Sequence, residues 1–273
     1  MSGTVVSPRG VTKRLLQANA GLVLFFFYAP ILVLVIFSFS DNRNVGVWGG
    51  FTLDWYQELA DSEPTKDAIW NSLRIAVAST AISVVLGTLA ALSLERFTFR
   101  GRKVFDALLY LPIIIPDVTM AVMMLLFFAE AADVIGFSKG FATITLSHIA
   151  FNISFVSIVV RARLAGTDEK LEEAAMDLYA SRWQAFRFVT LPLIMPGILG
   201  GGLLALTLSL DDVVITQFVT GPGWTTLPVL VFSLIRKGVT PLINSVSVVM
   251  LVASTALVGL SLLAQRLRGG SPV

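Results

Sequence analysis

Residues 167–192 read TDEKLEEAAMDLYASRWQAFRFVTLP and form the longest polar stretch between two long apolar spans. Two short helices are predicted within it. Asp168 can cap the first, because carboxylates are favoured at the positive N-terminal end of a helix. Ser181 followed by Gln184 is a capping-box signature for the second, and Pro192 is predicted to start a new segment.

The first of these helices carries one narrow apolar face. Leu171, Ala174, Ala175 and Leu178 recur at the i, i+3, i+4 and i+7 positions of a helix. Small residues allow a helix to pack closely in a groove. This face therefore suits a helix that docks closely in a groove, although an ordinary cytoplasmic loop with two surface helices is the simpler alternative.

The composition is that of an integral membrane protein. Of 273 residues 55% are hydrophobic and only 14% are charged, with a mean hydropathy of +0.81. The net charge of +2 is too small to indicate nucleic-acid binding. The absence of Cys excludes disulfides and thiolate metal sites. His148 is the one histidine, so we expect no metal site there and a hydrogen-bonded helix contact in preference to a proton relay.

Six segments meet the requirement of roughly 20 apolar residues for a membrane helix. They predict an all-α membrane protein, and the third is interrupted by Pro112 and Pro116. The first has no charge, exceeds a usual signal-peptide core and lacks a small-x-small cleavage site, which favours an uncleaved helix. The predicted spans are 21–39, 68–94, 104–129, 141–160, 193–219 and 242–264.

The distribution of basic residues predicts the orientation. With the amino terminus in the cytoplasm, fourteen of the twenty Lys and Arg residues fall on the cytoplasmic side. The predicted organisation is a cytoplasmic segment 1–20, a transmembrane domain 21–265 and a cytoplasmic tail 266–273. The loop 161–192 is then cytoplasmic. An outer loop, 218–241, starts with Gly and Pro and contains an apolar run too short to span, which favours a re-entrant or interfacial segment.

Three carboxylates lie in predicted spans, where each costs on the order of 3 kcal/mol and usually faces water or a partner. Straight-helix counting at about 1.5 Å per residue places Asp117 and Asp211 in the outer half. They predict a path for a cation, to which Trp224 could add cation–π attraction. Asp211 and Asp212 point about 100° apart on a helix, so we expect one in the path and one pairing or capping. Alternatively, Asp117 caps the helix after Pro116, and the pair is solvated.

A family resemblance follows from these motifs. EEAAMDL at 172–178, followed by TLP at 190–192, resembles the EAA loop of the permease subunits of bacterial ABC importers. TLSLDD at 207–212, LPIIIPDVTMA at 111–121 and the outer loop extend the resemblance to the spermidine/putrescine branch, over most of the chain. Opine and iron permeases share parts of these patterns.

The resemblance implies a type I importer permease fold in the bacterial inner membrane, with a coupling loop at 161–192 that sits in a cleft of a separate ATPase. The implied partners are a second permease, an ABC ATPase dimer and a periplasmic substrate-binding protein. Glu172 and Glu173 would be polar contacts, and Ala174 and Ala175 would pack closely. The coupling residues carried over are Glu172, Glu173, Ala174, Ala175, Asp177, Leu178 and Tyr179. No GxxxxGK[ST] loop occurs, so ATP would be bound by the partner and the chain needs no cofactor.

Tyr179 departs from the family pattern, which usually has Gly at this position. If the residue is left-handed, Tyr costs about 1 to 2 kcal/mol there. Either the turn is rebuilt around Ala180, or the coupling is slightly altered.

The resulting hypothesis is a non-enzymatic permease subunit that forms half of the pathway for putrescine or spermidine. One alternative is an ABC permease for another small solute, such as an opine, iron or an amino acid. A secondary transporter would normally show an internal repeat with paired broken spans, and only the third span and the outer loop look broken. A membrane hydrolase is disfavoured because one His offers little acid–base chemistry.

Overall fold

The computed structural model describes residues 10–136, 138–168, 170–238 and 240–268. Within these ranges the chain is helical, and the one β-type pairing is an isolated bridge between Ser40 and Phe51, which confirms the predicted all-α class. The helices are α1 Gly10–Phe37, α2 Asp54–Asp61, α3 Glu63–Arg96, α4 Arg102–Ile114, α5 Asp117–Ile135, α6 Phe141–Leu164, α7 Lys170–Asp177, α8 Arg182–Ala185, α9 Leu191–Asp211, α10 Val214–Val219, α11 Leu227–Lys237 and α12 Pro241–Arg268, with a π-helical turn at Phe186–Thr190 between α8 and α9.

Four helices in the described ranges are long and apolar enough to cross a membrane. They are Thr12–Phe37, Glu63–Arg96, Phe141–Leu164 and Arg182–Asp211, and the pair α4–α5 makes a fifth span if its bent halves count as one. The predicted sixth span, 242–264, falls in α12, whose stretch Pro241–Ala256 is apolar but shorter. The described residues therefore contain four spans, or five with the bent pair, where six were predicted.

The predicted interruption of the third span is a sharp break. α4 ends at Ile114, α5 begins at Asp117, and the two helices meet at 111°. Pro116 has no N–H to donate and restricts the residue before it, so the helix restarts after it. Counting residues along a straight axis is consequently wrong for Asp117, because the axis turns just before that residue.

The fifth span begins and ends at different residues from those predicted. Pro192 starts no new segment, because α8, the π-turn and α9 form a continuous helix from Arg182 to Asp211. Pro192 has no N–H to donate, and the π-turn accommodates it without a break in the helix. In this turn Leu191 N–H donates to Phe186 O, five residues back. At the other end, α9 stops at Asp211, and α10 is a separate helix where the prediction continued the span to residue 219.

The contacts divide the chain into two units, and each is described separately. One comprises the described residues of Met1–Asp61 and Leu234–Val252, and the other those of Ser62–Ser233 and Ala253–Val273. In the first, Tyr56 Oη and Ser38 Oγ share a 2.7 Å hydrogen bond, and Trp55 Nε1 donates to Ser40 O at 2.8 Å. The apolar side chains of α1 are exposed, as those of a helix surrounded by lipid would be.

The second unit is built on the packing of α3, α6 and α9. Glycines allow this close approach: a Cβ on Gly87 of α3 would lie 2.7 Å from Val156 Cβ of α6. Gly201 of α9 meets Val156 from another side, where a Cβ would lie 3.3 Å from its Cα. The same unit contains all the candidate site residues.

Candidate functional site

The polar segment (residues 167–192) has the predicted helix caps. Asp168 Oδ1 accepts a hydrogen bond from Lys170 N at 3.0 Å, at the start of α7. Ser181 N donates to Gln184 Oε1 at 2.8 Å, and Gln184 N donates to Ser181 Oγ at 3.3 Å, at the start of α8. Both caps are local, and both predictions are confirmed.

Tyr179 ends α7 in the left-handed conformation, with φ of 67°. Ala180 N donates to Ala175 O at 3.1 Å and Tyr179 N donates to Met176 O at 3.0 Å, which together form a Schellman motif. The turn is therefore not rebuilt around Ala180. The Tyr179 backbone occupies the position that the family pattern gives to Gly, at a cost of about 1 to 2 kcal/mol.

The tip of the polar segment exposes apolar side chains. Leu178 is 82% and Tyr179 98% exposed. Other large exposed side chains are those of Leu171, Met176, Trp183 and Phe188. Glu173, Ala174 and Asp177 are exposed as well, and Ala175 is half-buried. Such a concentration of uncovered apolar surface on a polar loop is typical of a protein interface.

Glu172 lies beside Glu173 in sequence, but its environment differs. Its carboxylate accepts two hydrogen bonds from Arg96, from Nη2 at 3.0 Å and from Nη1 at 3.3 Å, and a further one from Thr190 Oγ1. Glu172 therefore contacts its own chain, whereas Glu173 is exposed. The sequence alone predicts the same role, a polar contact, for both.

Arg161 is a second residue that links helices. From the sequence it contributes only to the distribution of basic residues that predicts the orientation. Its Nε donates to Glu95 Oε1 at 2.7 Å and its Nη1 to Asp106 Oδ1 at 2.5 Å. It thereby joins α6 to α3 and α4. Glu95 and Arg96 are adjacent charges at the end of an apolar span. That pattern is the sequence signal that could have identified these two residues as interaction partners.

A buried polar group, here named the His148 cluster, comprises Ser79, His148, Ser209, Asp212 and Thr216. His148 is fully buried; its Nδ1 lies 2.6 Å from Ser209 Oγ and its Nε2 lies 3.0 Å from Thr216 Oγ1. Ser209 also bonds to Ser79 at 3.1 Å, and Asp212 Oδ2 lies 3.4 Å from His148 Nε2. The cluster joins α3, α6, α9 and α10, which confirms His148 as a hydrogen-bonded helix contact.

Asp212 also caps α10. Its Oδ2 accepts from Thr216 N and from Thr216 Oγ1, both at 2.7 Å, and its Oδ1 accepts from Ile215 N at 3.3 Å. Asp211, the last residue of α9, is exposed. Of the adjacent pair, Asp212 therefore has the pairing and capping role that was expected for one of them.

Asp117 is the first residue of α5 and is exposed. Pro116 occupies the N-cap position, so the side chain of Asp117 is not the cap. α5 and α10 pack through one core cluster that includes Ala121 and Val219. Asp117 and Asp212 thus lie at the starts of two helices that pack against each other.

Trp224 packs against Phe141, with ring centroids 5.2 Å apart. Both rings line a cavity of about 530 Å³ together with Trp70 and Arg74. The Arg74 guanidinium lies 5.5 Å from the centroid of the Trp70 ring. The cavity that Trp224 lines therefore already contains a cation of the chain itself, Arg74.

The described residues support neither a metal site nor a hydrolase site. Within the described residues, no group of His, Asp and Glu could hold a metal ion. GFSKG at 136–140 matches the GxSxG pattern of hydrolases, but it connects the helices α5 and α6. A nucleophile elbow requires a strand before the turn, so the fold does not support this use of Ser138.

Comparisons with known proteins agree with this architecture. Residues 83–268 match the family described as binding-protein-dependent transport system inner membrane component. The putrescine transport system permease protein PotI of Escherichia coli K12 is 46% identical over 229 residues, covering 83% of this chain and 82% of that protein. The spermidine/putrescine transport system permease protein PotC of Haemophilus influenzae is 38% identical over 245 residues, covering 90% and 94%.

Among solved structures, a subunit of a bacterial ABC transporter that imports the acidic polysaccharide alginate superposes with a TM-score of 0.76. The match covers 96% of both chains at 20% identity, so it shows the shared fold alone. Members of the matched family are transport components and not enzymes. The chain belongs to the family of inner membrane components of binding-protein-dependent transport systems.

Proposed function

We propose that this chain is the permease subunit of an ATP-driven polyamine importer and forms half of the path for putrescine or spermidine. Its similarity to the putrescine and spermidine/putrescine permeases over most of its length supports this substrate class. The exposed carboxylates Asp117 and Asp211 fit a cationic solute, because they can replace hydration that the solute loses in the membrane.

The proposed assembly contains a second permease, an ABC ATPase dimer and a periplasmic substrate-binding protein. Both termini and the loop 161–192 lie in the cytoplasm, as the excess of basic residues in those segments supports. Residues 21–265 form the transmembrane domain, and the loop 218–241 lies on the outer side. ATP is bound by the partner ATPase, since this chain has no phosphate-binding loop.

The polar segment is proposed to be the ATPase-docking surface. The observation that carries this proposal is the exposed tip, where Leu178 and Tyr179 are almost fully uncovered beside Glu173. Ala174, Ala175 and Asp177 complete the surface. Glu172 supports it from within, because its carboxylate is held by Arg96 and Thr190.

The proposed solute path includes Asp117 and Asp211, and Asp212 acts by holding α10 in place. Trp224 belongs to the path only as a wall residue, because Arg74 lines the same cavity and would repel a polyamine. A carboxylate with no partner of its own is the better ligand for a cation. Asp117 and Asp211 meet that condition, because neither has a side-chain hydrogen bond or ion pair with the described residues.

The test is uptake of labelled putrescine and spermidine by proteoliposomes that contain the whole complex, with the binding protein added. We expect uptake to require both ATP and the binding protein. Asp117→Asn and Asp211→Asn should each lower uptake while the basal ATPase rate and the subunit composition stay unchanged. Glu63→Gln, which alters another exposed carboxylate, is the control.

Three results would contradict the proposal. Uptake that persists without ATP would indicate a secondary transporter. Uptake of a different solute with none of a polyamine would leave the family intact but remove the substrate class. Normal polyamine uptake by both Asn variants would remove the carboxylate path.

A further inference from the structure

Two adjacent charged residues end α3, and they bind different parts of the protein. Arg96 donates to both carboxylate oxygens of Glu172 in α7, at 3.0 and 3.3 Å. Two parallel hydrogen bonds of this kind fix the relative orientation of the two groups as well as their distance. The pair is partly buried, with side-chain exposures of 19% for Arg96 and 25% for Glu172, so salt screens it less than a surface pair.

Glu95, the neighbouring residue, accepts from Arg161 Nε at 2.7 Å. Arg161 Nη1 donates to Asp106 Oδ1 at 2.5 Å. These bonds hold α3, α4 and α6 together at one end of the bundle. A displacement of Arg96 would therefore move α4 and α6 together with α3.

Glu172 also connects the two ends of the polar segment. The hydroxyl of Thr190, in the π-turn that leads into α9, donates to the same carboxylate that binds Arg96. α7 itself packs on α8 and on the π-turn, which belong to the same segment. The Glu172 carboxylate is thus a direct polar link from α7 to both α3 and the start of α9.

We propose that the Glu172–Arg96 pair is a positioning pair that transmits the movement of α7 to the transmembrane helices during the ATP cycle. This inference rests on the proposed docking of the polar segment to an ATPase, and it assigns Glu172 and Glu173 different tasks. Glu173 faces the partner, whereas Glu172 passes the displacement to α3. A planar, bidentate pair suits this task because it resists both sliding and rotation.

The test compares the assembled complex carrying Glu172→Gln, Arg96→Gln or the reversed pair Glu172→Arg with Arg96→Glu. Glu172→Gln keeps one oxygen as an acceptor for Thr190, but it loses the charge and the second acceptor for Arg96. Three quantities are measured: ATPase retained on purification, ATP hydrolysed, and polyamine taken up. We expect both Gln variants to retain the ATPase and its hydrolysis but to move roughly tenfold less polyamine per ATP, the range of a typical coupling energy.

The reversed pair should recover most of that loss, because the charges again attract. The control is the pair Glu63–Lys66, which is 2.7 Å apart but exposed by 77% and 48%; changing both to Gln should leave uptake per ATP unchanged. Loss of the ATPase from the Gln variants would overturn the inference, since Glu172 would then serve docking. Normal uptake per ATP in the Gln variants would overturn it as well.

The result for the unmodified complex separates this inference from the proposed function. If the unmodified complex moves no polyamine, the proposed function fails. If it moves polyamine and the Gln variants do so equally well, only the positioning role fails. If the reversed pair does not accumulate in the membrane, the polyamine taken up per ATP by the Gln variants still decides whether the pair has a positioning role.

Discussion

The polar segment and the His148 cluster both bring polar groups together, but they use them in opposite ways. In the His148 cluster the polar groups are buried and bond to one another across four helices. In the polar segment one carboxylate, Glu172, turns inward, while the tip presents Leu178 and Tyr179 to solvent. The difference indicates that the cluster is complete within this chain, whereas the tip requires a partner.

The largest effect is expected at the tip. Glu173→Lys reverses an exposed charge on the proposed docking surface, and like charges facing each other across an interface cost several kcal/mol. We expect the ATPase to be lost on purification and ATP-driven uptake to stop, with little change in thermal unfolding. Glu63→Lys, on a glutamate that is also exposed, should change neither; ATP-driven uptake retained in Glu173→Lys would contradict the docking role.

The opposite pair of effects is expected in the His148 cluster, where stability should fall and ATPase binding should remain. His148→Leu removes one hydrogen-bond partner from Ser209 and one from Thr216, which keep Ser79 and Asp212, and the net contribution of each lost bond is about 1 kcal/mol. The free energy of unfolding should fall by that order, while the ATPase should still copurify with whatever complex forms. Unchanged stability would mean that the cluster does not hold the four helices together.

The adjacent aspartates allow a finer comparison within one dipeptide. Asp212→Asn keeps a cap for α10 but loses the charge beside His148, so we expect a stability loss of about 1 kcal/mol. Asp211→Asn should leave thermal unfolding unchanged and lower polyamine uptake. Equal effects of the two substitutions on both measurements would contradict the division of roles.

The smallest effect concerns the strained turn. Tyr179→Gly removes the steric penalty of a left-handed residue, so α7 should be stabilised by about 1 kcal/mol. Hydrogen exchange of the amide of Ala180, which bonds to Ala175, should slow accordingly. Leu178→Gly is the matched control and should speed exchange, because Leu178 is the neighbouring residue and is not left-handed.

The features that sequence analysis predicted correctly are local. The caps at Asp168 and Ser181 and the break at Pro116 each depend on residues within one or two turns, so the sequence carries them directly. The left-handed turn at Tyr179 was recognisable for the same reason. Periodicity and hydropathy were sufficient for the spans because membrane helices satisfy their own backbone hydrogen bonds.

The features that escaped prediction depend on tertiary structure. Arg96 and Glu172 are separated by 76 positions, and nothing local distinguishes Glu172 from Glu173. The prediction of a break at Pro192 is wrong, because the effect of a proline depends on whether the preceding helix can change register, as the π-turn does here. The depth of Asp117 could not be counted because the angle at Pro116 is a property of packing.

The most direct test of the docking surface uses the absence of native cysteine from the chain. The variant Tyr179→Cys is reacted with a membrane-impermeant maleimide in vesicles of either orientation, with and without the ATPase, and Glu63→Cys, at an exposed position, is the control. We predict reaction of the residue-179 cysteine only from the cytoplasmic side, and strong protection by the ATPase. Equal labelling with and without the ATPase, or reaction from the outer side, would contradict the account.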